Sequence, residues 1–390
     1  MRARLRHVAL FALHYHELGL KGGNRTRFER VLEGNCQKAL ARWGTVKTQR
    51  IHRRILVSVD GPVDEVFQRL TEISGIAYVM RAQRFPVDLD AVAKAVADDL
   101  NARSGLETFR ITTKRGDKSY PMISTQIDRA VGGPVQDATG LGVRMKGADA
   151  EVRLSVLKDQ IIVGLERRDG PGGLPAGTAG RVAVLMSGGF DSPVAAWRMI
   201  NRGCTTDLIH FHSHPLVDKT TQEKARDLAE VLTAWQFRTR LLLVPLAAVQ
   251  TEVRLQCPAP LRVILYRRFM VRIAERLARM RNALALVTGE SVGQVASQTL
   301  ENLATVDAVA TMPVLRPLIG TDKQEIIAIS EKLKTFDISA RKDQDCCQLF
   351  VPPRPATRST PEEAAAAEEA LDVEGLVEDA VAGTEVVSFP

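Results

Sequence analysis

The sequence predicts an α/β protein whose C-terminal half is a parallel sheet with crossover helices, preceded by two smaller α+β units. Three observations lead there. From Arg181 onward, short apolar runs alternate with helix-like stretches, the pattern of right-handed β–α–β crossovers. The first of those runs ends abruptly in Ser187-Gly188-Gly189, with a helix-like segment directly after it. A Gly/Pro-rich connector, "GPGGLPAGTAG" at 170–180, separates this half from the less regular first half.

In the first unit, 1–62, "HVALFALHYH" reads as a strand, "NRTRFERVLEGNCQKALARWG" as a helix closed by Gly44, and "RILVSV" as a second strand. Residues 63–168 repeat the flavour, with helices in "VDEVFQRLTEIS" and "AVAKAVADDLNARS" and strands in "TFRITTKRG" and "QIIVGLERR". The second half reads strand 181–186, helix 192–202, strand 205–212, helix 220–236, strand 238–246, helix 261–281 and strand 283–288. Ligands in such sheets bind at the carboxyl ends of the strands. The Ser187 loop, "HFHS" at 210–213 and "TGES" at 288–291 all fall at such ends, so three polar endings converge on one edge. The tail 356–390 is Ala-rich and acidic. It has helix propensity but a poor apolar face, which predicts a mobile or weakly docked segment.

The bulk composition excludes several classes. Hydrophobic residues make up 45% and charged residues 25% of 390, ordinary for a globular chain, and no apolar run is long enough to cross a bilayer. The N-terminus is basic and then apolar, as a signal peptide would be. His14, His16 and Glu17 interrupt it and no small-residue cleavage site follows, so a cytoplasmic protein without a membrane partner is expected. Five scattered cysteines, Cys36, Cys204, Cys257, Cys346 and Cys347, suit neither a disulfide framework nor a zinc site. The formal charge of +7 is uneven: residues 362–390 hold nine acids and no Lys or Arg. Taking those nine from 46 leaves 37 acids against 53 basic residues, a formal +16 on residues 1–361. A body so basic, with few aromatics, suits a polyanion held by its phosphates.

The loop itself carries chemistry. Glycines let backbone N–H groups approach a phosphate, and Ser187 and Ser192 add hydroxyl donors. A Walker-type loop would carry a lysine; Asp191 stands here instead. A carboxylate would repel a bare phosphate, so its natural task is to help hold Mg2+ bridging phosphate oxygens. The order S-G-G-x-D-S resembles the pyrophosphate loop of the N-type ATP pyrophosphatases, which cleave ATP between the α and β phosphates.

The resemblance narrows with "SGGFDSPVAAW", "HFHS", "TGESVGQVASQTLENL", "RPLIGTDKQEI" and "DCCQLFVPP" in one order, and "ELGLKGGNRTRFERVL" and "LERRDGPGGLPAGTAGRV" upstream. Together, over about residues 10–355, they resemble the tRNA 4-thiouridine synthetase family (ThiI type), sulfurtransferases that thiolate uridine 8 of tRNA. The resemblance implies a ferredoxin-like domain (1–62), a THUMP RNA-binding domain (63–168) and an adenine nucleotide α-hydrolase-like pyrophosphate-loop domain (175–355). It implies ATP and Mg2+, an adenylated uridine, a persulfide on Cys347 and a cysteine desulfurase as donor. It also implies, for many members, sulfur transfer to the carrier protein of thiamin thiazole synthesis. Some members add a rhodanese domain with its own persulfide cysteine; only the acidic tail follows Pro355 here.

The nucleotide contacts so implied are Leu185 and Met186 through main chain, Ser187, Gly188, Gly189, Ser192, His210, Phe211, Arg267, Gly289 and Gln298. His210 is equally read as a structural histidine, and Gly289 as a turn glycine. The other arginines of the basic helix around Arg267 are expected to face solvent. Lys323 has a local argument: "TDKQE" opens a helix with Thr321 and Gln324 as a capping box, and a lysine in the first turn opposes the helix dipole unless both grip an anion. Lys21 and Arg25, beside a glycine turn, and Lys114, Arg115 and Lys118, after a strand, are the RNA-contact candidates. Cys346 cannot easily resolve a persulfide on Cys347, because adjacent Cα atoms lie about 3.8 Å apart, below the usual disulfide span of about 4.4–6.8 Å. Cys204, Cys257 or an external thiol remain, and the assembly is open between monomer and homodimer. Two other readings compete: a small-molecule, amide-forming ATP pyrophosphatase, and a non-catalytic THUMP-type RNA-binding protein.

Overall fold

The computed structural model describes residues 9–51, 54–342 and 349–390, and the chain divides into two units after Pro175. The first unit runs β1 (Ala9–His14), α1 (Arg25–Leu40), β2 (Lys47–Ile51), β3 (Arg54–Val59), α2 (Val63–Leu70), β4 (Tyr78–Phe85) and α3 (Leu89–Asn101). It continues through β5 (Thr108–Arg115), α4 (Ser124–Thr139), β6 (Gly142–Val143), β7 (Ala150–Val156) and β8 (Ile161–Asp169). Its strands form one sheet, ordered β2-β3-β1-β4-β8-β7-β5-β6. β1 pairs antiparallel with β3 and β4, and β5 pairs parallel with β6 and β7. Alternate residues of β1, Phe11 and Leu13, enter a core with Leu32 of α1 and Phe67 and Leu70 of α2. A second core joins Val96 of α3, Val131 of α4, Phe109 of β5 and Leu154 of β7.

One expectation shifts here. The division at 62/63 falls one helix early, because α2 buries Val66, Phe67 and Leu70 in the first core. The start of the connector, 170–175, is hydrogen-bonded: Gly170 and Gly172 donate to the carbonyls of Ala77 and Ile76, and Leu174 enters the first core.

The second unit runs β9 (Arg181–Leu185), α5 (Asp191–Asn201), β10 (Thr205–His212), α6 (Thr220–Gln236), β11 (Thr239–Pro245), α7 (Ala247–Gln256), α8 (Arg262–Met280) and β12 (Leu286–Val287). It continues through α9 (Leu300–Asp307), β13 (Val314–Leu315), α10 (Lys323–Leu333), α11 (Phe336–Ser339), α12 (Pro361–Glu368), α13 (Val373–Ala382) and β14 (Glu385–Phe389). The sheet order is β13-β12-β9-β10-β11-β14, parallel except for β14, which pairs antiparallel with β11. Helices cover both faces: α5, α6 and α10 on one core, and α7, α8, α12 and α13 on the other.

The tail is therefore not mobile or weakly docked. Ala364, Leu371, Val377 and Ala380 are buried in the core beneath α7 and α8, and β14 completes the sheet edge. A fully buried Leu or Val contributes about 1.5–3 kcal/mol, so a few such residues suffice to hold a segment whose apolar face looks thin in sequence.

Candidate functional site

β9 ends at Leu185, and Met186 N–H still donates to Ile209 of β10 at 2.7 Å. The next four residues turn the chain into α5. Ser192 Oγ lies 3.0 Å from Ser187 N, which donates to it, and 3.1 Å from Ser187 Oγ, while Gly189 N donates to Ser187 Oγ at 3.3 Å. α5 starts at Asp191, and Phe190 before it supplies no side-chain cap. Pro193 costs nothing in this first turn, where its missing N–H would have no intrahelical partner. The first turn thus presents backbone donors and the positive end of the helix dipole to whatever the loop holds.

These groups open onto a cavity of about 530 Å3, within the range of small-molecule sites. Of the expected contacts, Leu185, Met186, Ser187, Gly189 and Ser192 line it from the loop, His210 and Phe211 from β10, Arg267 from α8, and Gly289 and Gln298 from the segment after β12. Gly188 and Lys323 are not on its wall. Lys323 reaches it through Asp191, with Nζ 2.7 and 3.0 Å from the two carboxylate oxygens, and Gln294 Nε2 donates to Asp191 at 3.0 Å. The cap of α10 is Asp322, whose carboxylate accepts from Gln324 N at 2.8 Å, so the expected Thr321–Gln324 box does not form. Lys323 remains the first residue of that helix.

Two alternatives left open in sequence gain a geometry. His210 Nδ1 lies 2.9 Å from Met186 O. A carbonyl only accepts, so Nδ1 carries the proton, and the ring ties the ends of β9 and β10 together while lining the cavity. Gly289 is demanded by the protein itself: a Cβ there would lie 2.7 Å from Ser192 N and 2.8 Å from Asp191 C. Gly189 differs, because a Cβ would meet only Ser187 Oγ, at 3.7 Å.

The structure adds Glu290, Arg316, Thr288 and Ser297, which sequence reasoning missed. Arg267 pairs with Glu290 and donates to Ser297 Oγ at 3.0 Å and Ser297 O at 3.1 Å. Glu290 also accepts from Thr288 Oγ1 and Arg316 Nε, both at 2.7 Å. Burial alone would raise the Glu290 pKa, but the Arg267 and Arg316 guanidinium groups and the Thr288 hydroxyl hold it below the usual glutamate range. The signal was present in "TGES", an acid just after a strand end. Gln298 Oε1 is buried with no hydrogen-bond partner among the described residues, an acceptor available to a ligand amino group.

Cys346 and Cys347 lie outside the described residues; the chain before them is bonded to the loop, and the chain after them lines the cavity. On entry, Ser339 Oγ donates to Gly189 O at 3.3 Å and Lys224 Nζ to Arg341 O at 2.7 Å. On exit, the Phe350 ring packs 4.3 Å from the Arg254 guanidinium, and Val351, Pro355 and Ala356 line the cavity. Cys204 precedes β10 at the amino end of the sheet. Eight strand residues at about 3.3 Å each put it about 26 Å from the carboxyl edge, where the cavity lies. Cys257 follows α7, three residues after Arg254, with Sγ donating to Ala367 O at 3.2 Å.

The first unit holds the other charges. Lys114 and Lys118 are exposed, Lys21 lies 5.4 Å from the Phe28 ring, and Arg25 pairs with Glu29 at 3.4 Å. Arg115 is committed internally, donating to Tyr120 O and Met122 O at 3.2 Å. A denser cluster surrounds Tyr78. His14 stacks on its ring at 4.2 Å, the Arg167 and Arg153 guanidinium groups lie 4.2 and 5.1 Å from it, and Arg153 donates to its hydroxyl at 2.6 Å. Burial first, then Arg54, Arg153, Arg167 and Lys114, push the His14 pKa down to about 2.

Comparison with known proteins matches the model of the thiamine biosynthesis protein ThiI to residues 177–373, the ThiI ferredoxin-like domain to 10–79 and the THUMP domain to 81–166. A probable tRNA sulfurtransferase of Thermus thermophilus is 43% identical over 96% of this chain and 92% of its own length. One of Brevibacillus brevis is 40% identical over 96% and 94%. A crystal structure of a 4-thiouridine synthetase–RNA complex with bound ATP superposes with a TM-score of 0.89 at 33% identity, covering 98% of this chain and all of that one. PH1313 from Pyrococcus horikoshii, at 22% identity and a TM-score of 0.65, shares the fold. With three domain models in order and relatives matched end to end, the chain belongs to the ThiI-type tRNA sulfurtransferase family, the 4-thiouridine synthetases.

Proposed function

We propose that this chain makes 4-thiouridine at position 8 of tRNA by adenylating the uridine with ATP and replacing the activated oxygen with sulfur carried on Cys347. The observation that carries the reading is the cavity itself, lined by the S-G-G-x-D-S loop at an uncapped helix N-terminus and by Val351, Pro355 and Ala356, which follow the Cys346-Cys347 segment. ATP would set its phosphates on the loop amides and the first turn of α5, with the base against Phe211 and Gln298. Its α-phosphate gains charge on attack by the uridine C4 oxygen, and Lys323 is the cation within reach once it leaves Asp191.

The residues fit magnesium in one respect. Asp191 is the carboxylate beside the loop, and its oxygens would turn to the ion on release from Lys323 and Gln294, whereas Glu290 is buried between two arginines. One carboxylate plus substrate phosphates is the usual magnesium environment, and the ion would neutralise charge on those phosphates when bound. The sulfur follows as a persulfide on Cys347, delivered by a cysteine desulfurase. Attack of its terminal sulfur on uridine C4 expels AMP and leaves the base joined to Cys347 through an S–S bond; Cys257 or an external thiol then attacks Cys347 Sγ, breaks that bond to release 4-thiouridine, and is left in a disulfide with Cys347. The exposed lysines and the Tyr78 cluster of the first unit would take RNA phosphates, a recognition by shape and charge that needs few stacking aromatics. Sulfur transfer to the thiamin carrier protein, cytoplasmic placement and a homodimer belong to the same reading.

The deciding experiment is pyrophosphate release from ATP with and without tRNA. Stimulation by tRNA is expected. Release driven by a small amine instead would favour an amide-forming pyrophosphatase, and no release at all would favour a non-catalytic RNA binder.

A further inference from the structure

α8 has two working faces. Val263, Arg267, Met270 and Val271 recur at helical spacing and form one wall of the cavity. Arg268, Arg272 and Arg276 recur at four-residue intervals on another face, about 100° round from the first. The sequence suggested solvent for those arginines; instead they hold the acidic C-terminal segment. Arg268 is 3% exposed and Glu368, the last residue of α12, is 6% exposed. Arg268 donates from Nε and one terminal nitrogen to the two Glu368 oxygens, at 2.9 and 2.8 Å. Arg272 donates to the same two oxygens at 2.8 and 2.7 Å, and Arg276 pairs with Glu374. Glu368 thus accepts four hydrogen bonds from two guanidinium groups in paired forks.

The same segment fixes the neighbouring wall. Arg268 also donates to Thr305 O of α9 at 2.9 Å, and Thr305 Oγ1 donates to Ser359 O at 2.8 Å. Ser359 Oγ donates to Asn302 Oδ1 at 2.7 Å. Asn302 Nδ2 donates to Ala296 O at 2.8 Å and Ala356 O at 3.0 Å. Ala296 leads directly into Ser297, which receives Arg267, and Gln298.

We infer that residues 356–368 are a clamp that sets the nucleotide site, with Glu368 as its positioning residue. Glu368 touches no cavity atom; it locks the rotation of α8, and through Arg268 and α9 the position of the 296–298 wall. The inference rests on the nucleotide reading of the cavity. It goes beyond that reading in making the acidic tail part of ATP recognition.

The test is ATP affinity of the full-length chain by titration calorimetry, with steady-state thiolation, for Glu368→Gln, Glu368→Asp and the wild type. Glu368→Gln should weaken ATP binding and raise the KM for ATP by roughly threefold to thirtyfold, the range for residues that act through a packed network. The kcat at saturating ATP and the affinity for tRNA should hold, and Glu368→Asp should recover part of the loss. Folded Glu368→Gln with wild-type ATP affinity would overturn the clamp. If that variant does not fold, the triple change Arg268→Met/Arg272→Leu/Glu368→Leu replaces the buried ions with apolar groups that such sites often tolerate. A folded triple variant with weakened ATP binding supports the clamp, and one with normal binding overturns it. A wild-type protein that binds no ATP would defeat the nucleotide reading itself, before any variant is compared.

Discussion

The Ser187–Ser192 loop of the second unit and the Tyr78 cluster of the first are built in opposite ways. The loop is six consecutive residues, Ser187–Ser192, shaped by its own hydrogen bonds and the start of α5. The cluster draws His14, Arg54, Tyr78, Arg153 and Arg167 from β1, β3, β4, β7 and β8, brought together only by strand order. A contiguous site carries its geometry in the local chain. An assembled one forms only when the strands pair, and burial first, then the surrounding arginines, keep His14 neutral there.

The two regions should separate by function. Asp191→Ala is expected to lower tRNA-dependent pyrophosphate release by two orders of magnitude or more while tRNA affinity holds; unchanged release would remove Asp191 from the chemistry. Cys347→Ser should divide the reaction further, keeping pyrophosphate release and losing 4-thiouridine, as read by mass spectrometry of the product tRNA. Full thiolation by that variant would reassign the sulfur.

The converse change, Arg153→Ala/Arg167→Ala, should weaken tRNA binding about tenfold and lower the salt slope of log Kd by about one for each phosphate no longer neutralised. ATP affinity should not move. A binding isotherm indistinguishable from wild type at every salt concentration would clear the cluster of any RNA role.

The two glycines sharpen the contrast within the second unit. Gly289→Ala drives a Cβ into the backbone of Asp191 and Ser192, and overpacking of that kind costs about 1–3 kcal/mol, visible as a lowered Tm. Gly189→Ala meets only an ordinary van der Waals neighbour, so its Tm should match wild type while ATP binding falls about tenfold. Equal losses of stability in both variants would contradict this division.

The assembled cluster also makes a prediction of its own, the pH dependence at His14. Its folded pKa, about 2, lies below the ordinary histidine value of 6.5, so the unfolded chain binds the extra proton between those values. Stability is fully present above about pH 6.5 and is lost as pH falls toward 2, by at most about 1.4 kcal/mol per pH unit from this group. His14→Gln should show a shallower decline of Tm between pH 6.5 and 4 than wild type. Parallel curves would mean that the ring titrates normally.

Much of the molecule was legible in sequence for a physical reason. Strands β9 and β11 are near-continuous apolar runs, and β10 is buried along most of its length, because both faces of their sheet are covered, and the crossover helices carry clear apolar stripes. Elements were missed where local chemistry argued against the outcome. α4 contains Gly132-Gly133-Pro134 in its interior yet is helical, because Ile127, Val131 and Val135 line one buried stripe. β2, "KTQRI", has no buried residue and exists as a strand only by pairing with β3.

By itself the sequence determined the order of domains, the parallel sheet, the tight Ser187–Ser192 turn into α5 and the convergence of three polar strand endings, because each rests on the period of apolar residues or on a few neighbours in the chain. Only the tertiary structure decided that Lys323 pairs with Asp191 across 132 residues, that Glu290 gathers Arg267 and Arg316, and that Glu368 binds the arginine face of α8. An ion pair between distant residues has no period and no local spacing. It is set by which surfaces the packed helices and strands turn toward each other, and a buried charge keeps its charge only where that packing supplies the opposite one.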